Sequence, residues 1–193
     1  MGGNYLAQAT IFLVELFFDI FILAFFLRYL FTIVRVDLTN PLSALIIKIT
    51  NPFLKPLRKT IPGYLGVDWS SILVLVLAQA IEIILVTLII SEVAPALSGL
   101  IILTIAHLLR MVLYIYLFVI LIQVIISWVN PNAYNPITAI MYQVSEPILK
   151  PIRRLVPSVG GLDFSPFIIL VIINLLMMLI ISPLMDRGQI LSL

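Results

Sequence analysis

Five ionisable side chains interrupt long apolar runs: Glu15, Asp19, Glu82, His107 and Arg110. A charged residue at the centre of a membrane-spanning helix costs about 2.5–3.5 kcal/mol on insertion scales, so each needs a partner, a wet cavity or a neutral state. Their spacing groups them. Gln8, Glu15 and Asp19 are separated by seven and four residues, Gln79 and Glu82 by three, and His107, Arg110 and Tyr114 by three and four, so each set shares one helical face. Two chemistries suit such faces. Three acids against one or two cations line a proton or cation path gated by Arg110, with His107 as a group that titrates near neutral pH. Alternatively the same residues, with Gln79 and Asn174, form a polar network that holds helices together at about 0.6 kcal/mol per contact.

Other chemistries lack their residues. The chain has no cysteine and one histidine, which removes disulfides, thiolate nucleophiles, Cys-ligated metals and multi-histidine clusters. No nucleophile and base pair and no phosphate-binding Gly-rich loop stands out, so no enzyme, no catalytic residue, no metal and no cofactor is expected.

The elements that position these residues are membrane spans. The 193 residues are 63% hydrophobic and 10% charged, with a mean hydropathy of +1.24, against about 25% charged in soluble domains. Four runs are long enough to cross a bilayer, which takes about 20 residues at 1.5 Å each. The expected architecture is all-α: spans at about 6–34 and 71–90 around a loop at 35–70, then spans at about 97–129 and 166–182 around a loop at 130–165. The first six residues carry no positive side chain and no small-residue cleavage site follows, so the first span reads as retained and not as a signal peptide. Both loops are basic, with Arg35, Lys48, Lys55, Arg58 and Lys59 in one and Lys150, Arg153 and Arg154 in the other, whereas the opposite side carries only Arg187. Short basic loops stay in the cytoplasm, which puts both loops inside and both termini outside.

The halves repeat. With Pro52 placed on Pro147, an offset of 95, 12 of the 31 positions in 40–70 are identical to those in 135–165. Residues 1–94 and 95–193 are therefore two copies of one helix, loop, helix unit. Two spans per unit make the copies parallel, not inverted. In each loop Asn40–Pro41 or Asn135–Pro136 starts a helix as N-cap and first residue. Leu42, Leu45, Ile46 and Ile49, and Ile137, Ile140, Met141 and Val144, then mark one apolar face. Pro52 and Pro56, and Pro147 and Pro151, are expected to end that short amphipathic helix. Lys55, Arg58 and Lys59, and Lys150, Arg153 and Arg154, follow as matched basic triplets. An apolar stripe beside cations suits the headgroup layer, where each cation contributes about 1 kcal/mol near anionic lipid. Trp69 and Phe164 fit the interface, and Ser70 and Ser165 fit caps for the next spans. Asp68 and Asp163 fit the positive end of those helices or an ion pair with Arg58 or Arg153.

The offset also sets Glu15 on Arg110 and Gln79 on Asn174. A twofold relation between the halves would bring Glu15 and Arg110 to one height as an ion pair.

The doubled pattern Pro-x-Leu-Lys-Pro-[Leu/Ile]-Arg-[Lys/Arg]-x-[Ile/Val]-Pro, followed by Gly66-Val67-Asp68-Trp69-Ser70 or Gly161-Leu162-Asp163-Phe164-Ser165, resembles the YggT family of small membrane proteins. Ser127-Trp128 and Asn135-Pro136 resemble its bacterial two-repeat members, and the resemblance spans nearly the whole chain. It implies a four-span protein of the bacterial inner membrane and supplies no catalytic residue. Relatives are associated with osmotic tolerance and ion homeostasis, with division-associated gene clusters and with cytochrome assembly in plastids. The halves have drifted at Trp69-Ser70-Ser71 against Phe164-Ser165-Pro166.

The leading functional expectation is a non-catalytic accessory, scaffold or assembly protein whose basic loops meet anionic headgroups, with a membrane-protein partner or a second copy also open. The alternative is an ion or proton conductor supporting osmotic balance. Nucleic acid is not an expected partner, since the basic clusters are short and a membrane surface explains them.

Overall fold

The computed structural model describes residues 5–37, 39–61, 63, 64, 67–129, 135–156 and 163–192. The motif positions Pro62, Gly66, Pro157, Gly161 and Leu162 lie outside them. The helices are α1 (Tyr5–Val34), α2 (Pro41–Thr60), α3 (Trp69–Ser91), α4 (Leu97–Val129), α5 (Pro136–Leu155), α6 (Ser165–Leu176) and α7 (Ser182–Ser192), with a π-helical turn Met177–Ile181 joining the last two. Four stretches are long and apolar enough to cross a membrane: α1, α3, most of α4, and the continuous unit Ser165–Ser192. Only 17–28% of the most apolar window of each is buried inside the protein, so the remaining apolar surface suits lipid rather than water.

The fourth span runs ten residues past its expected end at 182. Pro183 lacks the N–H that an α-helix would bond four residues back. The preceding turn widens instead: the Ser182 N–H donates to the Met177 carbonyl, five residues away, and the chain continues as helix. Glycine then lets α7 nest on α4. A Cβ at Gly188 would fall 2.8 Å from the Leu103 side chain, and one at Gly99 would fall 2.4 Å from the Ser192 backbone. The Ala96 N–H donates to the Ser192 carbonyl at 3.1 Å, closing the contact.

The loop helices are longer than expected. Pro52 and Pro56 do not stop α2, nor do Pro147 and Pro151 stop α5; each helix runs 20 residues. Prolines four apart lie on one face, and all four lie on the exposed side. The carbonyls left without a donor therefore face outward, while Leu54 and Leu149 on the opposite face are wholly buried. Both starts match expectation. Asn40 accepts from the Leu42 N–H at 2.9 Å and donates to the Pro136 carbonyl at 2.7 Å, tying the two loop helices together. Asn135 accepts from the Ile137 and Thr138 N–H groups, and Thr138 Oγ1 accepts from the Asn135 N–H.

The buried face of α2 is rotated from the expected stripe. Ser43, Ile46, Thr50 and Leu54 are buried, while Leu45 and Ile49 are half exposed. Small hydroxyl residues allow close approach because they bond internally: Ser43 Oγ donates to the Asp37 carbonyl and Thr50 Oγ1 to the Ile46 carbonyl. In α5 the expected Ile140 and Val144 are buried, joined by Thr138, Ser145 and Leu149.

The spans follow one another around a core. Helix α3 packs between α1 and α4, α6 and α7 pack on α4, and α5 reaches α4, α6 and α1. Phe25 and Leu54 anchor the first repeat; Ile120 and Leu149, at the same positions of the second, anchor the other. Because α7 rests on α4 through glycine, Gly188→Val should overpack that crossing. The expected loss is about 1–3 kcal/mol, read from unfolding in mixed micelles. An unchanged unfolding midpoint would mean that the two helices do not meet there.

Candidate functional site

Two polar regions of the sequence become two places in the structure. The first is a cleft of about 780 Å³ between α1 and α4, backed by α3 and closed toward the loops by α5. Glu15, Asp19, Gln79, Glu82, His107 and Arg110 all line it. The side-chain amide of Gln79 donates to Glu82 at 2.9 Å and lies 3.4 Å from Nδ1 of His107, which links α3 to α4. Gln79 and Glu82 are buried, whereas Glu15 and Asp19 are exposed at the mouth.

The expected Glu15 to Arg110 ion pair is not among those formed by the described residues. The two residues stand on opposite walls of the cleft, and Arg110 Nη1 turns toward the sulfur of Met185 at 3.7 Å. The halves are not packed as a twofold pair here, since α3 separates α1 from α4 while the last span lies elsewhere on α4. Asn174 does not join the cleft. It is exposed, and its amide donates to the Leu170 carbonyl one turn back in its own helix.

The second place is the loop end. Arg58 hydrogen-bonds the carboxylate of Asp68, which also accepts from Ser71 Oγ at 2.7 Å. Arg153 Nε donates to Asp163 at 2.7 Å and Arg153 Nη1 to Glu146 at 2.8 Å; Asp163 also accepts from the Ser165 N–H at 2.9 Å. Each Asp thus serves both roles open to it, helix start and ion pair, and braces a loop helix against the next span. Burial opposes ionisation of Asp68, but Arg58 and Ser71 outweigh it and hold the carboxyl below its ordinary 3.8. Burial likewise opposes ionisation of Asp163, and its bonds to Ser165 and Arg153 hold it lower too.

The two serines do not cap with their hydroxyls. Ser70 Oγ donates back to the Ile61 carbonyl at 2.8 Å, and Ser165 Oγ is buried without a partner among the described residues. Both serines lie inside the first helical turn, Ser70 two residues and Ser165 one residue past the capping position. Lys55, Lys59, Lys150 and Arg154 remain exposed and make no ion pair among the described residues.

Sequence reading missed Arg28 and Glu146. Glu146 replaces Asn51 of the first copy, so the repeat concealed it. Arg28 lines a second pocket with Arg35 and Arg58. The offset of 95 places it on Gln123, a polar residue in the same apolar position, which is the signal that marks it.

Helical spans in two tandem units, braced by matched Arg and Asp pairs and carrying a polar cleft, define a multi-pass membrane protein of duplicated design. The chain belongs to the CCB3/YggT family, whose model matches twice, at residues 7–89 and 102–184, with the same offset of 95. It is similar to the uncharacterized protein PA0392 of Pseudomonas aeruginosa, 36% identical over 178 residues that cover 92% of this chain and 90% of that one. It is also similar to the uncharacterized protein YggT of Escherichia coli K12, 30% identical over 93% of each chain. A Vibrio alginolyticus protein is 32% identical over 89% of this chain and 95% of its own. No solved structure matches.

The braces differ in burial, Asp68 being 8% exposed and Asp163 39%. Asp68→Asn should therefore lower stability by about 1.5–3 kcal/mol, as for a hydrogen bond to a charged group. Asp163→Asn should cost about 0–1 kcal/mol, as for an exposed pair. Both folded values lie below 3.8, so this stability is full above that pH and is lost as the pH falls from it through the lower folded values. Detergent unfolding of both variants from pH 7 to pH 3 checks the order, and equal losses would contradict it.

Proposed function

We propose that this protein is a non-catalytic organiser of the bacterial cytoplasmic membrane. Both loops face the cytoplasm, both termini face outward, and α2 and α5 lie along the inner headgroup layer. One observation carries the reading: both repeats divide their basic triplet in the same way. Arg58 and Arg153 brace the fold, while Lys55 and Lys59, and Lys150 and Arg154, stay exposed and unpaired among the described residues. Exposed Leu45, Ile49 and Phe53 sit beside the first pair. Four such cations at an anionic surface contribute roughly 4 kcal/mol in total. That suffices to hold both helices against lipid or to present them to a membrane-protein partner.

With no native cysteine, the chain allows clean labelling. A spin label on Ile49→Cys, at a half-exposed position, should move into the headgroup layer when phosphatidylglycerol replaces phosphatidylcholine in proteoliposomes. Replacing Lys55, Lys59, Lys150 and Arg154 by Gln should abolish that shift, and so should high salt. A label that stays water-accessible in both lipids would remove the docking model.

A second reading rests on the cleft, because Glu15, Asp19, Glu82, His107 and Arg110 face one cavity. A conductor of protons or cations that supports osmotic balance would use such a wall. Purified protein in liposomes should then show cation or proton flux that Glu82→Gln reduces at least about tenfold, the loss of one well-placed charge. Absence of flux would leave the organiser alone.

A further inference from the structure

We infer that the loop end of the first repeat is a binding pocket for a phosphate-bearing anion, held by Arg28 and Arg35. The pocket measures about 700 Å³, within the range of small-ligand sites. Arg28 enters it from α1, Arg35 from just beyond the end of α1, Arg58 from α2, and Asp68 from the start of α3. Asp68 is the acid in this lining, and Arg58 neutralises it. Two guanidinium charges are therefore left over, which matches a phosphate dianion or a pair of phosphodiesters.

The second observation is an unmet donor. Nη1 of Arg28 is buried and has no hydrogen-bond acceptor among the described residues. A buried, charged donor without an acceptor is unfavourable, and a ligand oxygen placed against it would relieve that cost. Planar guanidinium groups pair with phosphate oxygens through two parallel bonds, a geometry that ammonium groups do not offer.

The second repeat keeps the common frame without these two arginines. It keeps the Arg153–Asp163 brace but has Gln123 in place of Arg28 and Asn130 in place of Arg35. Gln123 accepts from Ser145 Oγ at 2.7 Å, although its Nε2 is, like Arg28 Nη1, buried without an acceptor among the described residues, so the distinction between the copies is one of charge. The brace is common to both copies, whereas the paired guanidinium groups belong to the first alone. Position also favours phosphate: Arg28 lies six residues inside the end of α1, about 9 Å of helix rise, within reach of the headgroup zone for a long side chain. The pocket is separate from the exposed lysine surface proposed above, so either can fail without the other.

The test uses full-length protein, delipidated in a maltoside detergent, with thermal unfolding as readout at constant ionic strength. Inorganic phosphate and short-chain phosphatidylglycerol are titrated separately. Saturable stabilisation by phosphatidylglycerol alone identifies a lipid headgroup as the ligand; saturable stabilisation by inorganic phosphate as well identifies a free phosphate group. Arg28→Gln and Arg35→Asn should each weaken the effective probe about tenfold or more, while Arg187→Gln, on α7 at the other end of the spans, leaves it unchanged. If Arg28→Gln does not fold, Arg35→Asn decides, since Asn tolerates the positive φ of 55° found at Arg35. No saturable effect of either probe, or binding that survives in the folded variants, would overturn the pocket.

Discussion

A bilayer interior offers no hydrogen bonds, so every polar group that enters it must be satisfied by the protein. That constraint organises the chain at each level. It makes the spans helical and lets their outer faces stay apolar, with most of each span's surface unburied by the protein itself. It also explains the local devices: Thr10, Thr32, Ser91 and Thr104 return their hydroxyls to carbonyls one turn back. The π turn before Pro183 serves the same end, since it carries the helix past a residue that cannot donate.

Charged groups obey the constraint by gathering. The intramembrane acids and Arg110 share one cleft, and the loop cations concentrate where α2 and α5 meet the spans. Each repeat closes on an Arg and Asp pair that fastens its loop helix to the following span. The pair sits ten residues apart in sequence in both copies, so a single local motif determines how the chain re-enters the membrane.

Duplication supplied two equal frames, and packing made them unequal. The frame is common: paired asparagine caps, Leu54 and Leu149 as buried plugs, and the two braces. The differences lie in packing and in polar residues. α1 faces an open cleft where α4 meets α7 closely, and one loop end carries Arg28 and Arg35 where the other carries Gln123 and Asn130. A twofold scheme of identical sites does not describe such a molecule.

Composition, run length and the offset of 95 were enough to read four spans, two parallel units and the family, because hydrophobic length and repeated turn chemistry are local properties of a chain. The polar faces of α1, α3 and α4 were also legible, since helical spacing alone puts Glu15 beside Asp19 and Gln79 beside Glu82. Which faces meet was not legible. The Glu15 to Arg110 pair rested on an assumed symmetry, and Asn174 turned outward because helix rotation depends on how neighbours pack. The prolines of α2 and α5 misled for a related reason: a helix tolerates a proline more readily on its exposed side, and all four lie there. Tertiary structure alone decided that Arg28, Arg35 and Arg58 converge, since their approach depends on the angle at which α2 returns against α1.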